Sequence, residues 1–94
     1  MKFLAIEREN ANGLFTGELL TEEARKVHEF YLAGTLREIW FNDDHCAVLM
    51  LECASRQIAE DILSDLPLVK NGLIRFELTE LKPYTGYERI INFG

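Results

Sequence analysis

The hydrophobic pattern of the chain predicts four β-strands. Apolar side chains occupy both faces of the extended segment 2–8, as they do in a central strand. Residues 35–41 and 46–53 form a second and a third strand, joined by a hairpin turn at 42–44. In the last strand, 73–81, apolar and polar residues alternate most cleanly, which indicates one buried face and one solvated face.

Two amphipathic helices separate these strands. The first is predicted to begin at the N-cap Thr21 and to end at Gly34, and the second to begin after Ser55 and to end at Pro67. Residues 9–17, rich in turn formers, form a loop that is a candidate lid or pocket wall. One face of each helix is formed by residues at helical spacing: Leu20, Ala24, Val27, His28 and Tyr31 in the first, and Ile58, Ala59, Ile62, Leu63 and Leu66 in the second.

The order of elements is therefore βαββαβ. This split βαβ arrangement predicts a ferredoxin-like α+β fold, in which a four-stranded antiparallel sheet carries both helices on one face. Residues 1–82 form this single domain, and residues 83–94 form a C-terminal tail. At 94 residues the chain is long enough for one domain only.

The sheet face that the helices leave open also carries apolar residues. In the third strand, Val48 and Met50 point away from Ala47, Leu49 and Leu51, so both of its faces are apolar. The last strand adds Arg75, Glu77 and Thr79 to the open face. A sheet-to-sheet homodimer, a dimeric α+β barrel that encloses a partly polar cavity, would cover this mixed surface. The alternative is a monomer whose sheet is exposed.

The tail is too apolar to remain in water. Residues 89–93 are a candidate fifth strand, and the tail is expected to pack either on a neighbouring subunit or on its own sheet. Its five large apolar residues are Tyr84, Tyr87, Ile90, Ile91 and Phe93.

The charge of the chain limits its partners. Ten Lys and Arg against sixteen Asp and Glu give a net charge of −6, without a basic cluster. Nucleic acid and anionic membrane are therefore not expected as partners. No apolar run reaches the roughly 18 residues of a membrane span, so the expected location is the cytoplasm. The isolated thiols of Cys46 and Cys53 fit a reducing compartment, since opposite faces of one strand would prevent a disulfide between them.

Candidate chemistry rests on a few polar residues, because the familiar motifs for phosphate loops, zinc sites and nucleophile elbows are absent from the sequence. Glu38 is predicted to lie beside Trp40, where an apolar cavity would raise the pKa of its carboxyl group towards the range of a general acid or base. The alternative is a cross-strand ion pair of Glu38, for instance with Arg75. His45 at the hairpin tip and His28 on the first helix are either functional or ordinary structural residues.

Arg75 and Glu77 lie two residues apart on one face of the last strand. They are candidates to bind and polarise a small anionic substrate. A salt bridge at the rim of a dimer interface is the other interpretation of the same two residues.

Residues 34–81 resemble the muconolactone isomerase family. That family's pattern is close to G-T-x-R-x-x-W, then G-H at the hairpin and L-P-L-F before the last strand. This chain departs from it with Glu38 where a histidine is typical and Phe41 where an arginine is typical, so the pocket walls are expected to differ. The matching positions are Gly34, Thr35, Arg37, Trp40, His45 and the run Leu66, Pro67 and Leu68.

The resemblance implies a ferredoxin-like domain that dimerises through its sheets and assembles into larger rings. It also implies the migration of a double bond within a five-membered unsaturated lactone by proton transfer, without a metal or an organic cofactor. We therefore expect an isomerase, or a small-molecule-binding protein, for a small anionic unsaturated substrate; the alternative is a non-catalytic assembly or binding module. The expected proton shuttles are Glu38 and His45, and the expected substrate-binding residues are Arg37, Trp40, Arg75 and Glu77.

Overall fold

The sheet and its helices follow the predicted order. The computed structural model describes residues 1–10 and 13–91. The four strands pair antiparallel in the order β2-β3-β1-β4, which is the ferredoxin-like arrangement. The elements are β1 (Lys2–Glu9), α1 (Gly17–Leu32), β2 (Leu36–Phe41), β3 (Ala47–Glu52), α2 (Arg56–Ser64), α3 (Pro67–Lys70) and β4 (Ile74–Leu81), followed by a 3₁₀ turn (Gly86–Arg89).

Helix α1 begins five residues earlier than its sequence predicts. The N-cap is Thr16, whose Oγ1 accepts a hydrogen bond of 3.1 Å from the backbone N–H of Leu19. The assignment of Thr21 as the cap was wrong, because Thr21 lies inside the helix and its hydroxyl donates to the carbonyl of Gly17. Thr16 and Thr21 are chemically equivalent N-caps five residues apart, and the structure forms the longer of the two possible helices, which begins after Thr16.

The second predicted helix is divided in two. Ser55 is its N-cap, as predicted, and its Oγ accepts from the N–H of Ile58 at 3.2 Å. Pro67, however, does not end this helix; it is the first residue of the short helix α3. Proline suits the first position of a helix, because an N–H group there would have no hydrogen-bond partner within the helix and its absence costs nothing.

A β-bulge in β2 changes which residues share a face. Leu36 lies opposite Leu51 and Glu38 opposite Met50, so Arg37 is the extra residue. Leu36 therefore faces the helices, whereas strict alternation along β2 would place it on the same face as Glu38.

The core fills one end of the space between sheet and helices. Phe3, Ala5 and Leu51 are buried in its centre, and truncation of Phe3 to alanine is expected to cost about 3–5 kcal/mol. They are joined by Leu36, Leu49, Ala59, Leu63 and Leu66. Further along β1, the position after Phe3 and Ala5 on the same face is occupied by the carboxylate of Glu7. The packed core ends there and a cavity begins.

The tail projects from the domain. Tyr84 and Tyr87 stack edge to face with ring centres 5.0 Å apart, yet both are mostly exposed, as is Ile90. Arg89 belongs to the 3₁₀ turn, so residues 89–91 do not form the expected strand, and residues 92–93 of that prediction lie outside the described residues. The packing partner of the tail stays a prediction.

Two simpler observations complete the fold. Within residues 1–10 and 13–91, no helix is both long and apolar enough to cross a lipid bilayer. Cys46 and Cys53 are free thiols that flank the two ends of β3.

Candidate active site

A cavity of about 620 Å³ lies between α1 and the helix-covered face of the sheet. The cavity expected from the sequence lies elsewhere, between the open faces of two sheets in a dimer. We call the observed cavity the helix-side cavity. Its polar lining consists of Glu7, Glu9, Glu23, His28, Tyr31 and His45, and its apolar lining includes Phe15, Leu20, Val27, Leu36, Ile39, Phe41, Leu49, Leu66, Leu68 and Phe76.

Glu7 is the most buried acidic residue of the cavity. Only 8% of its surface is exposed, and its Oε1 accepts a hydrogen bond of 3.2 Å from the backbone N–H of Ala47. Burial raises the pKa of the Glu7 carboxyl group, because an ionised carboxylate loses hydration there; the Ala47 hydrogen bond offsets part of this increase. A carboxyl group in such a place can hold or release a proton nearer to neutral pH than a surface glutamate can.

The hairpin between β2 and β3 holds His45 at the cavity. Asn42 organises this turn, since its Oδ1 accepts from the N–H groups of Asp44 and Cys46 at 3.0 and 2.9 Å. His45 adopts φ 59°, in the left-handed region that few non-glycine residues occupy. Its imidazole stacks on Phe41, with ring centres 4.1 Å apart and planes at 16°. The turn therefore fixes the ring at the mouth, where its electrostatic interaction with Glu7 offsets a further part of the rise in pKa that burial causes at that carboxyl group.

Helix α1 supplies Glu23, His28 and Tyr31 to the polar lining. Glu23 Oε1 accepts from the N–H of Leu68 at 2.9 Å, which ties α1 to the start of α3. Burial raises the pKa of Glu23 as well. His28 and Tyr31 follow on the same face of the helix and complete this wall.

One group of side chains at the cavity has the composition of a metal site. The donor atoms of Glu7, Glu9 and Cys46 lie within 4.8 Å of one another, the single such cluster among the described residues. Burial and the neighbouring carboxylates raise the pKa of the Cys46 thiol, so it keeps its proton and is a poor ligand in that form. These three residues are nevertheless where this chain could hold an ion.

The open face carries most of the residues that the sequence singled out. Glu38 accepts a hydrogen bond of 3.2 Å from the indole Nε1–H of Trp40, so these two residues are neighbours, as predicted. Trp40 is 66% exposed. Arg37 lies 3.9 Å from Glu52, on the adjacent strand.

The alternative interpretation, an ion pair of Glu38 with a residue such as Arg75, was wrong for Arg75, because β2 and β4 form opposite edges of the sheet. Arg75 instead donates to Asn10 at 3.2 Å. Glu77 pairs with Arg8 on β1 at 3.2 Å, and this guanidinium lowers the pKa of Glu77. Arg75 and Glu77 do not form a pair with each other.

Among the predicted proton shuttles and substrate-binding residues, His45 alone lines the helix-side cavity. The structure brings it together with Glu7, Glu9 and Glu23, which sequence reasoning did not select. A signal for Glu7 was present: it continues the alternation of Phe3 and Ala5 and so places a carboxylate on the core face of a strand. Glu23 likewise falls on the apolar stripe of α1, three residues after Leu20.

Comparison with known proteins supports the fold. The sequence matches no protein-family model and no curated protein sequence. The structure is similar to that of 5-chloro-2-hydroxyhydroquinone dehydrochlorinase (TftG) from Burkholderia phenoliruptrix AC1100, solved in complex with 2,5-dihydroxybenzoquinone. The two are 17% identical and superimpose with a TM-score of 0.63 over 92% of this chain and 98% of that chain. The likeness confirms the ferredoxin-like α+β fold.

Proposed function

We propose that this protein is an enzyme that moves a proton on a small unsaturated substrate bound in the helix-side cavity. Glu7 carries the proton, and His45 supports it from the mouth. The observation that carries this proposal is the Glu7 carboxyl group, 8% exposed at the end of an apolar core, with its pKa raised by burial. Structural ion pairs do not account for it, because its hydrogen-bond partner is a backbone N–H.

The proposed reaction is the migration of a double bond. The ionised Glu7 takes a proton from the carbon next to the double bond, and the electron pair of that C–H bond moves into the unsaturated system. The protonated Glu7 then returns the proton to the far end of the same unit, so the product is an isomer and the enzyme is regenerated. Because only one proton moves, the step needs neither a metal nor an organic cofactor.

The lining favours a neutral substrate over the anionic one expected from the sequence. Three carboxyl groups face the cavity, and neither lysine nor arginine is among its described lining residues. An anion would be repelled unless a cation came from elsewhere. The rings of Phe15, Phe41 and Phe76 offer flat apolar surfaces to an unsaturated ring. The structural neighbour TftG, which was solved with a bound quinone, supports a small ring as ligand.

We further propose that the protein is a homodimer through its open sheet face. Leu4, Ile6, Val48, Met50 and Trp40 form an apolar strip there, across three strands. A second copy of the same strip is a self-complementary cover for it. Assembly without catalysis is the competing function, and the experiment below separates the two.

Exchange of substrate hydrogens with solvent tests the catalytic proposal. Muconolactone and its methyl ester are incubated with the protein in D₂O and followed by proton NMR; they differ in charge and share the lactone. We expect deuterium incorporation or isomerisation that is faster with the neutral ester and that is lost in Glu7→Gln. Glu77→Gln, a carboxylate on the open face, is the matched control and should keep the wild-type rate. Equal rates for wild type and Glu7→Gln, or no exchange with either compound, would contradict the proposal for this substrate class.

A further inference from the structure

The charge that lines the helix-side cavity is unbalanced. Glu7, Glu9 and Glu23 face it, and neither lysine nor arginine occurs in the part of its lining that the structure describes. Arg8 follows Glu7 on β1 but pairs with Glu77 on the open face at 3.2 Å. Burial is the main cause of the raised pKa of Glu7 and of Glu23, and repulsion adds to it, from Glu9 and from Glu7 respectively. A ligand with a positive charge would relieve this repulsion.

Aromatic rings lie beside these carboxyl groups. Phe76 is the residue directly opposite Glu7 in the pairing of β1 with β4, so both side chains stand on the same face of the sheet. Phe41 also lines the cavity, and it pairs with Ala47, whose N–H donates to Glu7. The face of an aromatic ring attracts a cation. A carboxylate beside such a ring offers the two groups that recognise an organic ammonium ion.

The spacing of Glu7 and Glu9 suits one ammonium group. Their carboxylate oxygens lie within 4.8 Å of each other. Two oxygens that accept from the same ammonium nitrogen at about 2.9 Å, in tetrahedral directions, are separated by about 4.7 Å. Glu7 is only 8% exposed and receives a single backbone N–H, although an ionised carboxylate accepts about four hydrogen bonds. Glu9 is exposed and places its charge at the entrance.

The size of the cavity favours an organic cation over a bare metal ion. Its volume of about 620 Å³ lies within the range of roughly 300–1,000 Å³ that is usual for sites of small organic ligands. The possible metal ligands include Cys46, whose protonated thiol is a poor ligand. A bare ion would also leave the apolar part of the lining without a partner.

We propose that the ligand of the helix-side cavity is a small unsaturated or aromatic molecule with a protonated amino group, held between Glu7 and Glu9. Its hydrocarbon part lies against the rings of Phe41 and Phe76. The ammonium group keeps Glu7 ionised, which is the form that removes a proton in the proposed reaction. The inference rests on the proposed function for its cavity, and it names the class of the substrate.

Three compounds with the same ring and different charge test this inference. Benzylamine, benzyl alcohol and benzoate are a cation, a neutral molecule and an anion at pH 8. Each is titrated into the ¹⁵N-labelled full-length protein, and the Ala47 amide beside Glu7 reports binding. We expect benzylamine to bind about tenfold more tightly than benzyl alcohol, and benzoate to bind most weakly.

A matched pair of variants locates the charge. Glu9→Gln should reduce the preference for benzylamine to less than about twofold and leave the affinity for benzyl alcohol unchanged. Glu77→Gln, on the open face, should keep the full preference. Should Glu9→Gln fold poorly, NaCl at about 0.5 M provides the same test in the wild-type protein, because salt should weaken the binding of benzylamine alone.

Equal affinities for benzylamine and benzyl alcohol, tighter binding of benzoate, or no binding of any of the three would overturn the inference. The same preference in Glu9→Gln as in Glu77→Gln would overturn it as well. Binding is measured here without turnover, so the two proposals fail separately. Turnover of muconolactone methyl ester without any preference for benzylamine contradicts this inference alone, and the preference without turnover contradicts the proposed reaction alone.

Discussion

The two faces of the sheet shift the pKa of a glutamate carboxyl group in opposite directions. Glu7, on the helix side, is buried and its pKa is raised, with a backbone N–H as its hydrogen-bond partner. Glu77, on the open side, is exposed beside Arg8 and its pKa is lowered. The two residues lie on adjacent strands and one register position apart: Glu77 pairs with Ile6, and the next residue of β1, Glu7, pairs with Phe76. One step along the strand separates a candidate catalytic acid from a surface ion pair.

This contrast shows that chemistry in this fold depends on the face more than on the residue type. A carboxylate gains acid–base capacity where apolar packing removes its water and no cation replaces it. On the open face, ion pairs keep the carboxylates ionised in solvent. The following variants test the contrast in order of decreasing expected effect.

Activity should distinguish the two faces most strongly. Glu7→Gln keeps the acceptor for the Ala47 N–H but cannot carry the proton, so kcat is expected to fall by about 10²- to 10⁴-fold. Glu77→Gln should change kcat by less than about twofold, since Glu77 lies outside the cavity. Initial rates with muconolactone methyl ester measure both. A larger loss in Glu77→Gln than in Glu7→Gln would reverse the assignment of the faces.

The oligomeric state should respond to the open face alone. Met50→Lys introduces a charge into the apolar strip and is expected to reduce the mass in solution from twice 10.9 kDa to 10.9 kDa. Ile58→Lys places the same charge on the partly exposed outer side of α2 and should leave the mass unchanged. Light scattering after size exclusion gives the masses. A wild-type chain that is monomeric at micromolar concentration would contradict the open-face dimer.

Stability should depend on pH with opposite signs at the two glutamates. Because the folded pKa of Glu7 is raised, its contribution to stability is present below the unfolded pKa of about 4.3 and is lost as pH rises through the folded value. Glu7→Gln should therefore raise Tm at pH 8 but not at pH 4. The folded pKa of Glu77 is lowered, so its contribution is present above about pH 4.3 and is lost as pH falls.

Glu77→Gln should accordingly lower Tm slightly at pH 8 and leave it unchanged at low pH. Thermal unfolding curves of both variants at the two pH values measure these differences. The same sign for both variants at pH 8 would show that the carboxyl groups do not differ in burial as described.

The smallest expected effect concerns the start of α1, which positions Glu23 and His28 at the cavity. Thr16→Ala removes the cap of the Leu19 N–H and should cost about 1 kcal/mol of unfolding free energy. Thr21→Ala, at the position that the sequence suggested, should cost less. Urea unfolding of the two variants gives the comparison, and the reverse order would restore Thr21 as the cap.

The fold was predictable because its signals are local and repeated. Alternation in β4, the Ser55 cap and the order of strands and helices along the chain needed only short-range patterns. The bulge at Arg37 was not predictable, since one extra residue is invisible to a period of two and shifts Leu36 to the other face. Pro67 was misplaced because proline both ends and begins helices.

The site was harder to predict because a cavity depends on how closely the helices pack on the sheet, and the local sequence pattern does not give this distance. Glu38 and Trp40 are adjacent as expected, yet they lie on the face without the cavity. His45 was selected from its place in the hairpin, and its left-handed backbone and its stacking on Phe41 needed the three-dimensional structure. Glu7 interrupts the apolar pattern of β1. That it lines a cavity follows only from the three-dimensional structure, in which α1 leaves space above it.

The central claim is that the substrate binds in the helix-side cavity. Its most direct test uses two native N–H groups, each beside a glutamate on a different face of the sheet. The Ala47 amide donates to Glu7 on the helix side, and the Trp40 indole donates to Glu38 on the open side. Muconolactone methyl ester is titrated into ¹⁵N-labelled protein. The account predicts that the Ala47 resonance shifts while the Trp40 indole resonance stays in place. A shift of the Trp40 indole with an unchanged Ala47 amide would place the ligand on the open face and contradict the account.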